Sequence, residues 1–495
     1  MIEVKNNHCI ALEELQSVPY EFFMESVFAQ HFRCMNAAAR RKGISGLDVY
    51  FLFMSSTGSL YVEYVEMDLD KEYPSIGKIV PSWVNFEREL AENFGVRYSN
   101  HPWLKPVRFP KDACHKLSMA EYPFFKETGS GVHEVAVGPV HAGVIEPGHF
   151  RFMCRGEKID HLEIQLGYQH RGVEKLMCQG NINSKRVLAE SICSDSAVIN
   201  SYLYFNILEK AFGITVPERG EAIRVLALEL EIAALHLSTL SGIANDIGYV
   251  MGAAFAGATR TYVINSLQSI CGNRFGRGLM TLGGTAFDID AELNKKLIDT
   301  LTMVYERVEH LKATMMESPG VRSRLELTGT VSKKVAVETG LTGIAGRASG
   351  VENDCRIYMD NPFYSGKIRN PETLKYTRGD VFSRAYCRVE EALSSLHLAL
   401  EILAHIPEGD IVSTAKNGIF RADSLVISMG EGPRGEVVHM AITGANESMP
   451  FELYKVKDPS FINWFALALC VRNNQISDFP LCNKSFDLSY SGNDL

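Results

Sequence analysis

Early in the chain two β-branched and aromatic runs, LDVYFLFM and LYVEYVE, flank SSTG, and the second alternates apolar with polar positions. That pattern predicts a β-hairpin. The next segment, SWVNFERELAENFGV, has helical spacing, with Ser82 placed to cap its start and Gly95 to stop it. HPWLKPVRFP follows with three prolines and reads as an extended linker. Strand-like HEVAVGPV and HFRFMCRG come next, and helical patterning begins near Val173. Residues 220–237 are apolar almost all round, which predicts a buried core helix. Further helices are expected near 290–317 and 379–404. From Leu425 short strands return, with EGPRGE as a hairpin-like turn between SLVIS and VVHMAI.

Composition narrows the class. With 495 residues, 46% hydrophobic and 22% charged, the chain is long enough for several cores and ordinary for a globular protein. A formal net charge of −9 and the lack of long Lys/Arg runs argue against a nucleic-acid surface, so no nucleic-acid partner is expected. FINWFALALCV and YVMGAAFAGA are too short to cross a bilayer, which takes roughly 20 residues. The opening MIEVKNNHCIALEEL has no secretory pattern, so a cytoplasmic location is expected. The 11 cysteines are scattered, with no C-x-x-C pair, which fits free thiols in a reducing compartment and gives no local zinc or iron–sulfur signature.

Four polar clusters interrupt apolar surroundings: GPVHAGVIEPGHFRF, ESICSDS, EGPRGE and the C-terminal ISDFPLCNKSFDLSYSGNDL. Buried polar groups need partners, so distant clusters are expected to converge on one site. His141 and His149, taken singly, read as hydrogen-bonded structural histidines.

In this order, GPVH, EPGHFRF, GYQHRGVEKLM, RVLALELEIAALHL, GRASGVENDCR, EGPRGE and KDPSFINW resemble the large subunit of group 4 membrane-bound nickel–iron hydrogenases and the 49-kDa-type subunit of complex I. PSWVNFERELAENFG and HPWLK resemble the 30-kDa-type subunit, fused ahead. The resemblance implies an α+β fold: an N-terminal α/β accessory domain over 1–120, then a large domain over 121–495 with a central helical bundle flanked by small β-sheets.

In hydrogenases of this family, R-x-C-G-x-C and D-P-C-x-x-C supply four thiolates to nickel and iron. Here Cys193 matches the first cysteine and Ser196 replaces the second. Allowing two extra residues, DFPLCNKS sets Cys482 and Ser485 on the C-terminal pair. Two thiols and two hydroxyls are a poor substitute for four thiolates, so the resemblance is strongest to the hydrogenase-related branch that lacks the nickel ligands. It implies no nickel–iron centre and no cofactor in this chain. Asp195 leans toward the complex I branch, whereas HAGVIEPGH keeps the hydrogenase form and the quinone-binding tyrosine falls near Leu188.

By the same resemblance Glu146 matches a proton-gating glutamate and Arg434 an arginine overhanging the metal, and His141, Glu146, Asp195 and Arg434 are the candidate catalytic residues. Cys193 and Cys482 are expected to meet beneath Arg434. Arg171, Glu174 and Lys175 are expected at the interface with a small subunit bearing a four-iron cluster. A ferredoxin-like subunit and membrane proton-channel and antiporter-like subunits complete the implied partners. The implied location is peripheral, at the cytoplasmic face of the inner membrane, and the implied role is electron transfer coupled to ion translocation. A non-catalytic scaffold and a hydrogenase with an atypical metal site are the alternatives.

Overall fold

The computed structural model describes the chain apart from residues 31, 56, 142–144, 181, 360, 369–373, 414–418 and 448, and the side chains of 30 and 183. The N-terminal region holds β1 (Ile2–Val4), β2 (His8–Ala11), β3 (Ser17–Val18), α1 (Tyr20–Gln30), β4 (Arg33–Lys42), β5 (Gly46–Met54) and β6 (Leu60–Asp68). The β5–β6 hairpin predicted around SSTG is present, inside a sheet of order β1-β6-β5-β4, with β3 parallel to β6. VYFLFM is continuously apolar because both faces of β5 are covered. Val49, Phe51 and Phe53 pack with Phe23 and Trp83, whereas Tyr50 and Leu52 face Ile427, Met429 and Met440 of the large domain.

β7 (Glu72–Pro74), α2 (Val84–Phe94) and β8 (Arg97–Ser99) follow. Gly95 ends α2 as expected, with φ 82° and its N–H donated to Ala91 O. Ser82 does not cap it: Pro81–Trp83 wind into a 3-10 turn, and Trp83 occupies the cap position. The proline segment after β8 forms no helix or strand, and it is not simply extended: it turns at Pro102–Trp103, bends at Val107–Arg108 and takes a left-handed backbone at Phe109.

The large domain begins with an antiparallel sheet of β9 (Val132–Val137), β10 (His149–Arg155) and β11 (Lys158–Gln165). Then come α3 (Val173–Met177), α4 (Ile182–Ala189), α5 (Ala197–Phe212), α6 (Glu218–Asp246), α7 (Val250–Cys271), the two-residue strands β12 (Met280–Thr281) and β13 (Gly284–Thr285), and α8 (Ala291–Leu311). Short α9 (Pro319–Leu325), α10 (Lys333–Thr339) and α11 (Gly343–Arg347) lead to α12 (Val381–Ala404). α6, α7, α8 and α12 pack as the bundle. The core-helix prediction for 220–237 holds, and each fully buried Leu or Ile there contributes roughly 1.5–3 kcal/mol. Buried ionisable residues of α6 find partners inside: Arg224 with Glu209 at 2.6 Å, Glu229 with Arg356 at 3.0 Å, and a neutral His236 with Glu391 at 3.2 Å.

β14 (Ser424–Gly432), β15 (Gly435–Asn446) and β16 (Met449–Lys457) form the last sheet, and β2 from the chain start is its edge strand. α13 (Ser460–Cys470), α14 (Phe479–Phe486) and α15 (Tyr490–Asp494) close the chain. The fold is α+β. Among the described residues no helix is long and apolar enough to cross a membrane.

Candidate functional site

EGPRGE forms the tight turn between β14 and β15, as its pattern predicts. The turn sits hard against Gly343, the first residue of α11. A Cβ on Gly343 (φ +63°) would stand 2.2 Å from Arg434 O, and one on Gly435 (φ +130°) would stand 2.7 Å from Gly343 N. Both positions require glycine, and their close approach fixes where Arg434 points.

Arg434 reaches the ESICSDS turn. Its Nη1 and Nη2 donate to Asp195 Oδ1 and Oδ2 at 2.8 and 2.9 Å, a two-pronged ion pair. Nη1 also lies 3.3 Å from Ser196 Oγ and 3.7 Å from Cys193 Sγ, and Nε donates to Asp487 O. Burial opposes the Asp195 carboxylate, but Arg434 outweighs it and holds its pKa below the ordinary value. Asp487 is held low in the same way by Lys484 and Arg434 despite burial. Burial, reinforced by Asp195, pushes the Cys193 thiol well up, so it is protonated.

The C-terminal cluster meets this group through a different residue from the one expected. Ser489 Oγ is 3.2 Å from Cys193 Sγ. Cys482 instead pairs with Cys470 beside Arg384, and Ser485 Oγ accepts from Arg384 at 2.8 Å and donates to Cys482 O at 2.7 Å. With Ser489 in the site, Asp487-Leu488-Ser489-Tyr490-Ser491-Gly492 follows the D-P-C-x-x-C spacing without inserted residues, so Ser489 and Gly492 stand at the two cysteine positions. At Gly492 a Cβ would lie 2.5 Å from Asp458 Oδ2, so the Asp458 carboxylate fills that corner. The sequence signal for Ser489 is the uninterrupted D-x-S-x-x-G spacing, which the C-x-x-S at Cys482 masks.

Glu146 Oε2 accepts the Tyr490 N–H at 3.3 Å, beside Ser489. His141 is bound within its own loop, its Nε2 2.9 Å from Gly148 O, and His149 Nδ1 lies 3.1 Å from Gly138 O. Arg171 donates to Ser191 O and to Ile192 O (2.9 Å), bracing the ESICSDS turn, while Lys175 pairs with Asp112 and Glu174 with Lys455 at 2.9 Å. One buried carboxyl had no sequence signal. Glu231 of α6 accepts the Val198 and Ile199 N–H groups at 2.7 and 3.2 Å, and burial pushes its pKa up to about 8. Beside Asp195, a cleft of about 20 Å³ lined by Glu231, Arg260 and Arg274 has room for about one water.

A nickel–iron centre of the hydrogenase type does not fit these residues. The four corners offer a protonated thiol, two hydroxyls and no side chain, and the Arg434 guanidinium, paired with Asp195, lies against two of them, Cys193 and Ser196.

Comparisons with known proteins give the class. Residues 246–426 match the model of the respiratory-chain NADH dehydrogenase 49 Kd subunit, and residues 11–128 that of the 30 Kd subunit. The chain is 31% identical to the membrane-bound hydrogenase subunit alpha of Pyrococcus furiosus, covering 72% of this chain and 85% of the relative. It is 30% identical to hydrogenase-4 component G of Escherichia coli (86% and 76% covered) and 24% identical to the C/D subunit of the NADH-quinone oxidoreductase of Bacteroides thetaiotaomicron (87% and 88% covered). A membrane-bound sulfane sulfur reductase structure superposes with a TM-score of 0.67 at 21% identity, over 75% of this chain and 100% of that one, a likeness of fold. The chain belongs to the family of membrane-bound hydrogenase and complex I 49-kDa-type subunits, with a 30-kDa-type domain fused ahead of it.

Proposed function

We propose that the chain is the large subunit of a membrane-bound oxidoreductase complex and works without a nickel–iron centre. It takes electrons from a cluster-bearing small subunit docked near Arg171 and the ESICSDS turn, alongside a ferredoxin-like subunit. It couples their arrival to ion movement in membrane subunits from a peripheral, cytoplasmic-face position. The observation that carries this reading is the Arg434–Asp195 ion pair standing among Cys193, Ser196 and Ser489. Arg434 is the group that would bind an anionic or polar acceptor by exchanging Asp195 for it, and Glu146, beside the site, is the candidate proton carrier. Asp195, paired as it is, serves as the fixed anion.

The small cleft favours a second reading, in which the chain couples or scaffolds without chemistry of its own. Two measurements on the native complex decide. Nickel at one atom per complex would overturn the metal-free reading. Donor-driven proton uptake that is lost in Glu146→Gln with assembly intact supports turnover at this site; uptake unchanged in both Glu146→Gln and Arg434→Met leaves the scaffold reading in its place.

A further inference from the structure

Where the N-terminal region meets the large domain lies an open cavity of about 540 Å³, within the roughly 300–1,000 Å³ typical of ligand sites. One wall is α2 with the proline segment that follows β8; the other is β11 with α13. Asn85 Nδ2 donates to Phe461 O at 2.7 Å, tying the walls together at one end. Trp103 is clamped in place: the Arg88 guanidinium lies 3.9 Å over its ring, Phe465 is 5.6 Å away, and its indole N–H donates to Glu163 at 3.1 Å. Trp103, Trp464, Phe465 and Phe125 present aromatic surface to the cavity.

The charge there runs against that of the molecule. In a chain of formal net charge −9, the lining carries Lys78, Arg88, Lys105 and Arg472 against one carboxylate, Glu163. Glu163 is already engaged, accepting from Trp103, Lys105, Tyr122 and the Phe125 N–H. Buried Arg88 is bonded to neutral acceptors: Lys105 O at 2.9 Å, Asn85 Oδ1 at 2.9 Å and Pro106 O at 2.8 Å. Arg472, exposed at the rim, donates to His161 Nδ1 at 3.1 Å. Burial and Arg472 hold the pKa of His161 below its ordinary value, so the neutral ring accepts from Arg472 without neutralising it.

We propose that this cavity binds a small aromatic acid, its ring system against Trp103, Trp464 and Phe465 and its anionic group at Arg472 on the rim, with Lys78 adding to the positive field of the lining. Ring surfaces favour offset stacking with a flat ligand over an acyl chain, and the uncompensated cations select the acid. The site is separate from the Arg434 group and does not depend on the function proposed above.

The test uses the full chain and two dyes of similar shape: 1-anilinonaphthalene-8-sulfonate and the neutral N-phenyl-1-naphthylamine. Two of the chain's three tryptophans, Trp103 and Trp464, line the cavity, so energy transfer from tryptophan to bound dye reports this location. The expected result is saturable binding of one anionic dye per chain with a dissociation constant on the order of micromolar, at least tenfold tighter than the neutral dye. Ala468→Trp, which fills the cavity from α13, abolishes it. Arg472→Glu and Lys78→Glu change exposed side chains, need no repacking, and weaken the anionic dye at least tenfold with the circular-dichroism spectrum unchanged. Absence of saturable binding, equal affinity for the two dyes, or affinity that survives Arg472→Glu with Lys78→Glu overturns the proposal.

Discussion

Ser489 Oγ lies 3.2 Å from the Cys193 sulfur although 296 residues separate them. The contact is held from both sides: Ser489 N donates to Ser460 Oγ at 2.9 Å, and Ser489 Oγ accepts from Gly492 N at 2.9 Å. A thiol placed at 489 therefore faces Cys193 and no other cysteine. In Ser489→Cys, mild oxidation joins these two sulfurs, whereas the parent chain gains no bridge at Cys193. Peptide mapping under non-reducing conditions reads the result; a bridge from Cys193 to Cys482 would show that the C-terminal segment is placed wrongly.

Arg434 is enclosed by Asp195, Asp487 and the Cys193 sulfur, with its side chain 7% exposed. Arg434→Met keeps the volume and strands two carboxylates, which costs about 3 kcal/mol by analogy with other buried pairs broken on one side. Asp195 is 31% exposed, so water screens its share and the Asp487 side carries most of the loss. Asp195→Asn added to Arg434→Met recovers part of it. Urea denaturation of the two single variants and the double variant gives the coupling energy, expected above about 0.5 kcal/mol. Additive effects would mean that the pair is not formed in solution.

What the sequence revealed and what it hid follow from burial chemistry. β5 and α6 were legible because residues covered on both faces, or almost all round, leave a mostly apolar signature. The EGPRGE turn was legible from its glycines and proline. β11 was not, since KIDHLEIQ carries its polar residues inward: Glu163 and Gln165 are buried on hydrogen bonds that only the fold supplies. Within the site, Cys193, Asp195, Ser196 and Arg434 meet as a converging group, and Glu146 adjoins them through Tyr490. Ser489 carried a spacing signal that the C-x-x-S at Cys482 masks, whereas Glu231 was silent because nothing in a helical pattern shows which backbone groups a buried glutamate will meet.

The Gly343–Arg434 approach makes a backbone prediction. Gly343→Ala puts a methyl 2.2 Å from Arg434 O at a φ of +63°, where an L side chain is also strained. The EGPRGE turn must shift, and the Arg434–Asp195 pair loosens with it. The expected cost is about 1–3 kcal/mol. Thermal unfolding measures that cost, and a smaller additional loss on adding Arg434→Met than in the parent chain identifies the displaced pair as its source. Full additivity would place the strain elsewhere.

Glu231 gives the pH prediction. Its carboxyl is buried beneath the start of α5, where two backbone N–H donors and Arg434 favour the charged form, yet burial prevails and moves its pKa from the ordinary 4.5 to about 8. A carboxyl that holds its proton more tightly when folded lends stability that is fully present below its unfolded pKa and lost as pH rises toward the folded value. Between about pH 4.5 and 8 the unfolded chain has released this proton and the folded chain retains it, so stability declines across that window by a few kcal/mol. Glu231→Gln keeps the shape and one carbonyl acceptor for the α5 N–H groups while removing the titration. The variant should therefore unfold at a temperature that changes less between pH 5 and pH 8 than in the parent chain, with the gain concentrated at the alkaline end. The carboxylates held by Arg434 act with the opposite sign: Asp195 contributes stability above its unfolded pKa that is lost only as pH falls below the ordinary aspartate range. Parallel pH profiles for the parent chain and Glu231→Gln would mean that Glu231 is ionised in the folded protein and acts only as a cap for α5.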